Sequence, residues 1–118
     1  MRKEGNVVFE KSKAFAVRII RFKQWLCAET KEYSLADQVL RSGTSIGANI
    51  SEAVQAASRK DFINKLNIAL KECSETEFWL SIMYDADIIS REIYDSLHND
   101  CIELYKLLLS IIKTTRNN

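Results

Sequence analysis

The feature that most constrains the fold is a helical repeat of apolar residues that no proline interrupts. The 118 residues contain no proline and only three glycines, and apolar residues recur at spacings of three and four. No stretch shows the period-two alternation, bounded by turns, that indicates a strand. The sequence therefore predicts an all-α protein.

Four apolar stripes divide the chain into four predicted helices, at about residues 9–29, 34–57, 59–84 and 91–114. Ser34, Ser58 and Ser90 precede the last three stripes as predicted N-caps. The connections are short, so successive helices should be antiparallel neighbours in an up-down-up-down four-helix bundle, a single domain over residues 1–118. The stripe of the first helix is Phe15, Ile19, Phe22 and Leu26, widened by Ala16, Ile20 and Cys27. The stripe of the second helix is Leu35, Val39, Ser42, Ile46, Asn49, Ala53 and Ala56. The third helix carries Phe62, Leu66, Ala69, Cys73, Thr76, Leu80 and Met83, and the fourth carries Ile93, Leu97, Leu104, Leu108 and Ile111.

The second helix is unusually rich in residues with small side chains. In "SGTSIGANISEAVQAAS" (42–58), eleven of seventeen residues are glycine, alanine, serine or threonine. Gly43, Gly47, Ile50 and Val54 form a face beside the core stripe, where the glycines would allow a close backbone approach. This face is either a tight contact within the chain or an interface between subunits.

Two polar residues, Ser42 and Asn49, occupy predicted core positions of the second helix. An unpaired polar group there would cost about 1–3 kcal/mol. We therefore expect both side chains to form hydrogen bonds across helices.

The segments "RSGTSIGANISEA" (41–53) and "SRKDFINKLNIALKECSETEFWL" (58–80) resemble the bacterial four-helix bundle proteins that are also called 23S rRNA intervening-sequence proteins. The resemblance covers about residues 9–115, and its most specific part runs from Arg41 to Glu52. Many members carry proline where Gly47 stands, so a fixed kink is not expected here.

This resemblance implies an antiparallel bundle that assembles into a homopentamer, without an established enzymatic activity. A related branch, the accessory variability proteins of diversity-generating retroelements, binds nucleic acid and partners a reverse transcriptase. Members of that branch are typically strongly basic, whereas the net charge here is +1. Trp25 and Trp79 also favour a homo-oligomer, because one small core does not readily hide both.

The residue inventory predicts no catalytic, cofactor-binding or metal site. A di-iron bundle needs two Glu-x-x-His pairs, and the chain has one histidine. Asp95 and His98 share a face that we expect to be exposed. Glu72, Glu75 and Glu77 crowd the third helix, and the first two are expected to be solvated or to pair with Arg41 and Lys71.

Basic charge is concentrated near the amino terminus. Residues 1–31 hold eight Lys/Arg against three Asp/Glu, a balance of +5, and the rest of the chain carries −4. Lys11, Arg18, Arg21 and Trp25 share one face of the first helix, where they could bind RNA or DNA phosphates and stack an unpaired base. Secondary candidates are Lys13, Lys23, Arg59 and Lys60. The alternative is a charged surface that serves solubility.

Cys27, Cys73 and Cys101 lie in apolar patterns rather than in CxxC motifs, so reduced core thiols and a cytoplasmic location are expected. No apolar run is long enough to span a bilayer, so no membrane partner is expected. The sequence thus favours a non-enzymatic oligomeric scaffold or adaptor. Its expected partner is a further copy of itself, and RNA or a nucleic-acid enzyme is a candidate partner. The alternatives are a reverse-transcriptase accessory protein and an inert product of a mobile rRNA insertion.

Overall fold

The structure, a computed structural model that describes residues 6–118, contains four helices: α1 (Val7–Thr30), α2 (Tyr33–Val54), α3 (Arg59–Asp85) and α4 (Arg91–Asn117). They form an elongated antiparallel bundle, and each pair of sequential helices packs closely. The α1–α4 pair has the least dense packing. The predicted all-α four-helix bundle is confirmed.

Serine side chains begin two of the helices as predicted. The Ser58 hydroxyl accepts a hydrogen bond from the Asp61 backbone N–H, and the Ser90 hydroxyl accepts one from the Ile93 backbone N–H. These bonds satisfy donors that have no partner in the first helical turn.

The prediction that Ser34 caps α2 is wrong. The Glu32 carbonyl accepts a hydrogen bond from the Ala36 backbone N–H, so the first turn begins at Tyr33. Lys31 ends α1 in a left-handed conformation, and the Thr30 hydroxyl accepts a hydrogen bond from the Glu32 backbone N–H. The connection between α1 and α2 is therefore only Lys31 and Glu32, and Ser34 already lies inside the first turn of α2.

The core follows the predicted stripes. Every α3 stripe residue is buried except Phe62, which is half-buried, and Cys101 and Ile112 extend the buried face of α4. The prediction that Ile20 widens the core stripe of α1 is wrong. Its side chain is 43% exposed, because it lies on the side of α1 that no other helix covers. The stripe residues Ala16, Cys27, Leu35, Ala56, Ile93 and Ile111 are half-buried.

Helix α2 ends at Val54, three residues before the predicted end. The Gln55 and Ala56 backbone N–H groups bond to Glu52 and Ala53, three residues back, which tightens the last turn before Ser58 caps α3. No helix in residues 6–118 combines the length and the apolar character that a membrane span requires.

Candidate functional site

Arg18, one of the predicted nucleic-acid contacts, bridges α1 to α4. Its guanidinium donates hydrogen bonds to the Asp100 carboxylate at 2.6 Å, to the Ser96 hydroxyl at 2.9 Å and to the Ser96 carbonyl at 3.3 Å. Three bonds from one planar group fix the side chain across the seam between the helices. Arg18 therefore serves first as a link within the bundle.

Lys11 makes a similar link two turns earlier, where its ammonium lies 3.2 Å from the Glu103 carboxylate. Both pairs are substantially exposed, so each contributes at most about 1 kcal/mol to stability. These pairings neutralise two of the three positive charges on the predicted face, a result that sequence patterns did not indicate.

The other two predicted residues, Arg21 and Trp25, line a groove between α1 and α4. The groove has a volume of about 440 Å³. Arg21 has no ion pair within residues 6–118, and Trp25 is 38% exposed and stacks on Phe22, with ring centroids 6.1 Å apart. The remaining lining residues are Arg18, Phe22, Glu92, Ile93, Ser96 and Leu97. The structure thus brings Arg18, Arg21 and Trp25 together.

The four secondary candidates do not join this groove. The Lys23 ammonium lies 3.8 Å from the Asp37 carboxylate on α2. Arg59 donates to the Asn118 carbonyl at the far end of the bundle. Lys13 and Lys60 are exposed on other faces of α1 and α3.

The glycine face of α2 packs against α1 within the chain. A Cβ atom on Gly43 would lie 2.8 and 2.9 Å from two Cγ atoms of Ile19, and one on Gly47 would lie 3.2 Å from the Ser12 hydroxyl oxygen. Ile50 is fully buried, and Val54 is half-buried. The close approach is therefore an intramolecular contact between α1 and α2.

Ser12 is a core residue that the predicted stripe of the first helix does not include. It is fully buried, and its hydroxyl donates to the Phe9 carbonyl at 2.8 Å. Its spacing three residues before Phe15 and four after Val8 was the available signal. The small side chain at this position makes room for the backbone at Gly47.

Of the two predicted polar core residues, only Ser42 bonds across helices. Its hydroxyl and the buried Thr76 hydroxyl on α3 are hydrogen-bonded at 2.8 Å. The prediction for Asn49 is wrong, because its amide donates to the Ser45 carbonyl on the same helix at 2.8 Å. Asn49 is only half-buried, and one turn of its own helix supplies the acceptor.

The α3–α4 seam holds a smaller cavity of about 210 Å³ beside Cys73, Glu77, His98 and Cys101. Cys73 and Cys101 are buried free thiols, and hydrogen bonding with Cys101 together with burial strongly raises the pKa of Cys73. His98 stacks on Tyr94 and lies 3.6 Å from Glu77. Within residues 6–118, no three His, Cys, Asp or Glu side chains are grouped to hold a metal ion.

Two carboxylates of α3, Glu72 and Glu75, pair with Arg41 on α2, which is one of the two outcomes expected for them. The Arg41 guanidinium lies 3.4 Å from Glu72 and also contacts Glu75. Burial raises the pKa of Glu72, while the positive charge of Arg41 opposes this shift and the neighbouring Glu75 adds to it. Asp95 pairs with Arg91 one turn away on α4, at an exposed position.

Similarity to known proteins extends over most of the chain. The sequence profile of the 23S rRNA-intervening sequence protein family matches residues 4–110. Among solved structures, one from Bacteroides thetaiotaomicron VPI-5482 is described as a protein with unknown function from the S23 ribosomal protein family. It shares 58% identity with this chain over 90% of this chain and 98% of its own, with a TM-score of 0.89. No curated protein sequence matches the chain.

Proposed function

The chain belongs to the 23S rRNA-intervening sequence protein family, and from this premise we propose that it is a non-enzymatic scaffold or adaptor that assembles into a homopentamer and contacts RNA in the cytoplasm. The assembly rests on one structural observation. Large apolar side chains outside the α1–α4 groove remain exposed although the core of the bundle is already complete: Val17, Ile20, Ile68, Phe78 and Leu109 are each at least 39% exposed.

Val17 and Ile20 form the patch best suited to a second copy. They lie one turn apart on the uncovered side of α1, 45% and 43% exposed. The adjoining α1–α2 seam contains a shallow hollow of about 240 Å³, where Ala16, Gly47 and Ala48 supply little side-chain volume. An apolar ridge beside a hollow lets a neighbouring helix interdigitate with it.

Two carboxylates and two thiols on neighbouring helices favour a non-enzymatic role. Glu72 and Glu75 are engaged with Arg41, and Cys73 and Cys101 are buried against each other. A raised cysteine pKa disfavours the thiolate that nucleophilic chemistry requires. Contact with RNA is favoured separately by Arg21 and Trp25, which face an open groove.

Light scattering coupled to gel filtration tests the assembly. We expect a mass near 68 kDa, five times the 13.6 kDa of one chain. The double variant Val17→Lys, Ile20→Lys should shift the mass toward the monomer, because two ammonium groups would have to be desolvated at the contact.

The matched control is Asn99→Lys, Ser110→Lys, which adds the same charges to exposed positions on the outer face of α4. It should keep the wild-type mass. A monomeric wild-type protein at micromolar concentration would contradict the assembly. If that protein also bound no RNA, an inert product of a mobile rRNA insertion would become the better description.

A further inference from the structure

The α1–α4 groove is short and closed at one end. Arg18 crosses the seam to Ser96 and Asp100, so the open part extends only from there to Trp25. Seven residues of helix cover roughly 10 Å, about two turns. A docked partner helix needs a longer groove, whereas 440 Å³ is in the range of small-ligand sites. The shape suits one flat chemical group.

The walls of the groove are suited to an aromatic ring. Phe22 and Trp25 stack on each other on the α1 side, and Ile93 and Leu97 supply aliphatic surface on the α4 side. Trp25 leaves 38% of its surface open to the groove and solvent. Stacking on an exposed indole accepts any base, because every base has a π-face.

Two charged residues at the groove entrance, Arg21 and Glu92, have no ion pair within residues 6–118. Lys11, Arg18 and Lys23 each have a carboxylate partner, whereas Arg21 has none among the residues that the structure describes. A guanidinium without a partner can bind a phosphate through two parallel hydrogen bonds. Glu92, on the opposite lip, likewise has no ion pair in residues 6–118 and can accept a hydrogen bond from an amino group.

From these features we propose that the α1–α4 groove binds one unpaired nucleotide of a single-stranded RNA. The base stacks on Trp25 with its amino edge toward Glu92, and its phosphate pairs with Arg21. The proposal rests on the RNA contact in the proposed function. It adds where the RNA binds, in the α1–α4 groove, and that the bound RNA is single-stranded. A base-paired strand is excluded because its bases are already stacked and cannot enter the groove.

Fluorescence anisotropy with an end-labelled, single-stranded ten-nucleotide RNA of mixed sequence tests the site, at about 50 mM salt where phosphate contacts are strong. Trp25→Ala should weaken binding roughly ten-fold, in line with the loss of one stacked base. Arg21→Gln should weaken binding several-fold, and Trp25→Phe should retain most of the affinity because it keeps an aromatic face. The same RNA annealed to its complement should bind much more weakly.

Lys60→Gln is the matched control, because it removes one exposed charge from the start of α3, at the end of the bundle away from the groove. It should change the affinity less than two-fold if the groove is the site. Equal losses in Lys60→Gln and Arg21→Gln would overturn the proposal in favour of diffuse charge attraction. The mass of every variant is checked, and a smaller assembly in Trp25→Ala would show that a second copy occupies the groove.

Two further outcomes separate the groove from the wider function. Undiminished RNA binding by Trp25→Ala and Arg21→Gln would overturn the groove and leave RNA contact standing. No RNA binding by the wild-type protein would overturn both, and only the assembly would remain. Displacement of the RNA by micromolar cytidine monophosphate would make a free nucleotide the ligand and would also overturn the proposal.

Discussion

At the scale of single residues, the small side chains of α2 are explained by the residues of α1 that pack against them. Gly43 faces the branched side chain of Ile19, and Gly47 faces Ser12 where α1 passes closest. Glycine inside a helix costs roughly 1 kcal/mol relative to alanine. Close packing of α1 against α2 offsets that cost, so these glycines are packing residues and no subunit interface is needed to account for them.

The two glycines should respond differently to alanine. We expect Gly43→Ala to destabilise the protein by about 1–3 kcal/mol, because the new methyl group overlaps Ile19, whose branched side chain is fully buried. Gly47→Ala should be nearly neutral, because a contact of 3.2 Å with a hydroxyl needs only a small shift and helix propensity improves. Urea denaturation measures both changes.

Gly47→Leu extends this comparison. The larger side chain would meet the Ser12 backbone as well as its hydroxyl, so we expect a loss that alanine does not cause. Equal stabilities of Gly43→Ala and Gly47→Ala would show that α1 and α2 are not as close at Ile19 as described. An unchanged free energy of unfolding in Gly47→Leu would contradict the close approach of α1 to Gly47 at Ser12.

At the scale of helices, the seams differ in what holds them together. The α2–α3 seam contains the Ser42–Thr76 hydrogen bond in its buried centre and the Arg41 ion pairs at its edge. The α1–α4 seam relies on the exposed bridges of Lys11 and Arg18. Exposed bridges contribute little, so α1–α4 should be the first seam to open.

Amide hydrogen exchange measures this difference. We expect amides of α2 and α3 to exchange most slowly, and Arg18→Ala to accelerate exchange in α1 and α4 without affecting the central pair. Arg21→Ala is the matched control, because Arg21 lies one turn away on α1 without a bridge to α4. Slowest exchange in α1 would contradict this order.

The α2–α3 seam also predicts a pH dependence. Because burial raises the pKa of Glu72 above its ordinary value of 4.5, the folded state holds this proton more tightly than the unfolded state. The stability contribution of this group is therefore fully present below pH 4.5 and is lost as the pH rises through the folded-state pKa.

Substitution of Glu72 isolates this effect. We expect the stability of the wild-type protein relative to Glu72→Gln to fall as the pH rises above 4.5 and through the folded-state pKa of Glu72, in denaturant titrations. Glu52→Gln, which removes an exposed carboxylate paired with Lys65, controls for the loss of a surface charge. A constant difference between the wild type and Glu72→Gln across this range would contradict the raised pKa.

At the scale of the whole molecule, the sequence predicts the bundle well and the site only in part. Helix stripes and the caps at Ser58 and Ser90 depend on neighbours within a turn, so spacing alone reveals them. The bridges of Lys11 and Arg18 join residues 92 and 82 positions apart, and they require the rotation of α4 about its axis. Periodicity does not specify that rotation, and it also misplaced Ile20.

The outer dimensions of the bundle, 46 × 22 × 20 Å, limit how copies can meet. Stable interfaces bury about 800 Å² on each partner. With extents of 46 by 22 Å against 22 by 20 Å, a side face offers about twice the area of an end face and is the better suited to an interface of this size. Copies in the proposed assembly should therefore pack through their long side faces, with their long axes side by side and their helix ends at the two ends of the ring.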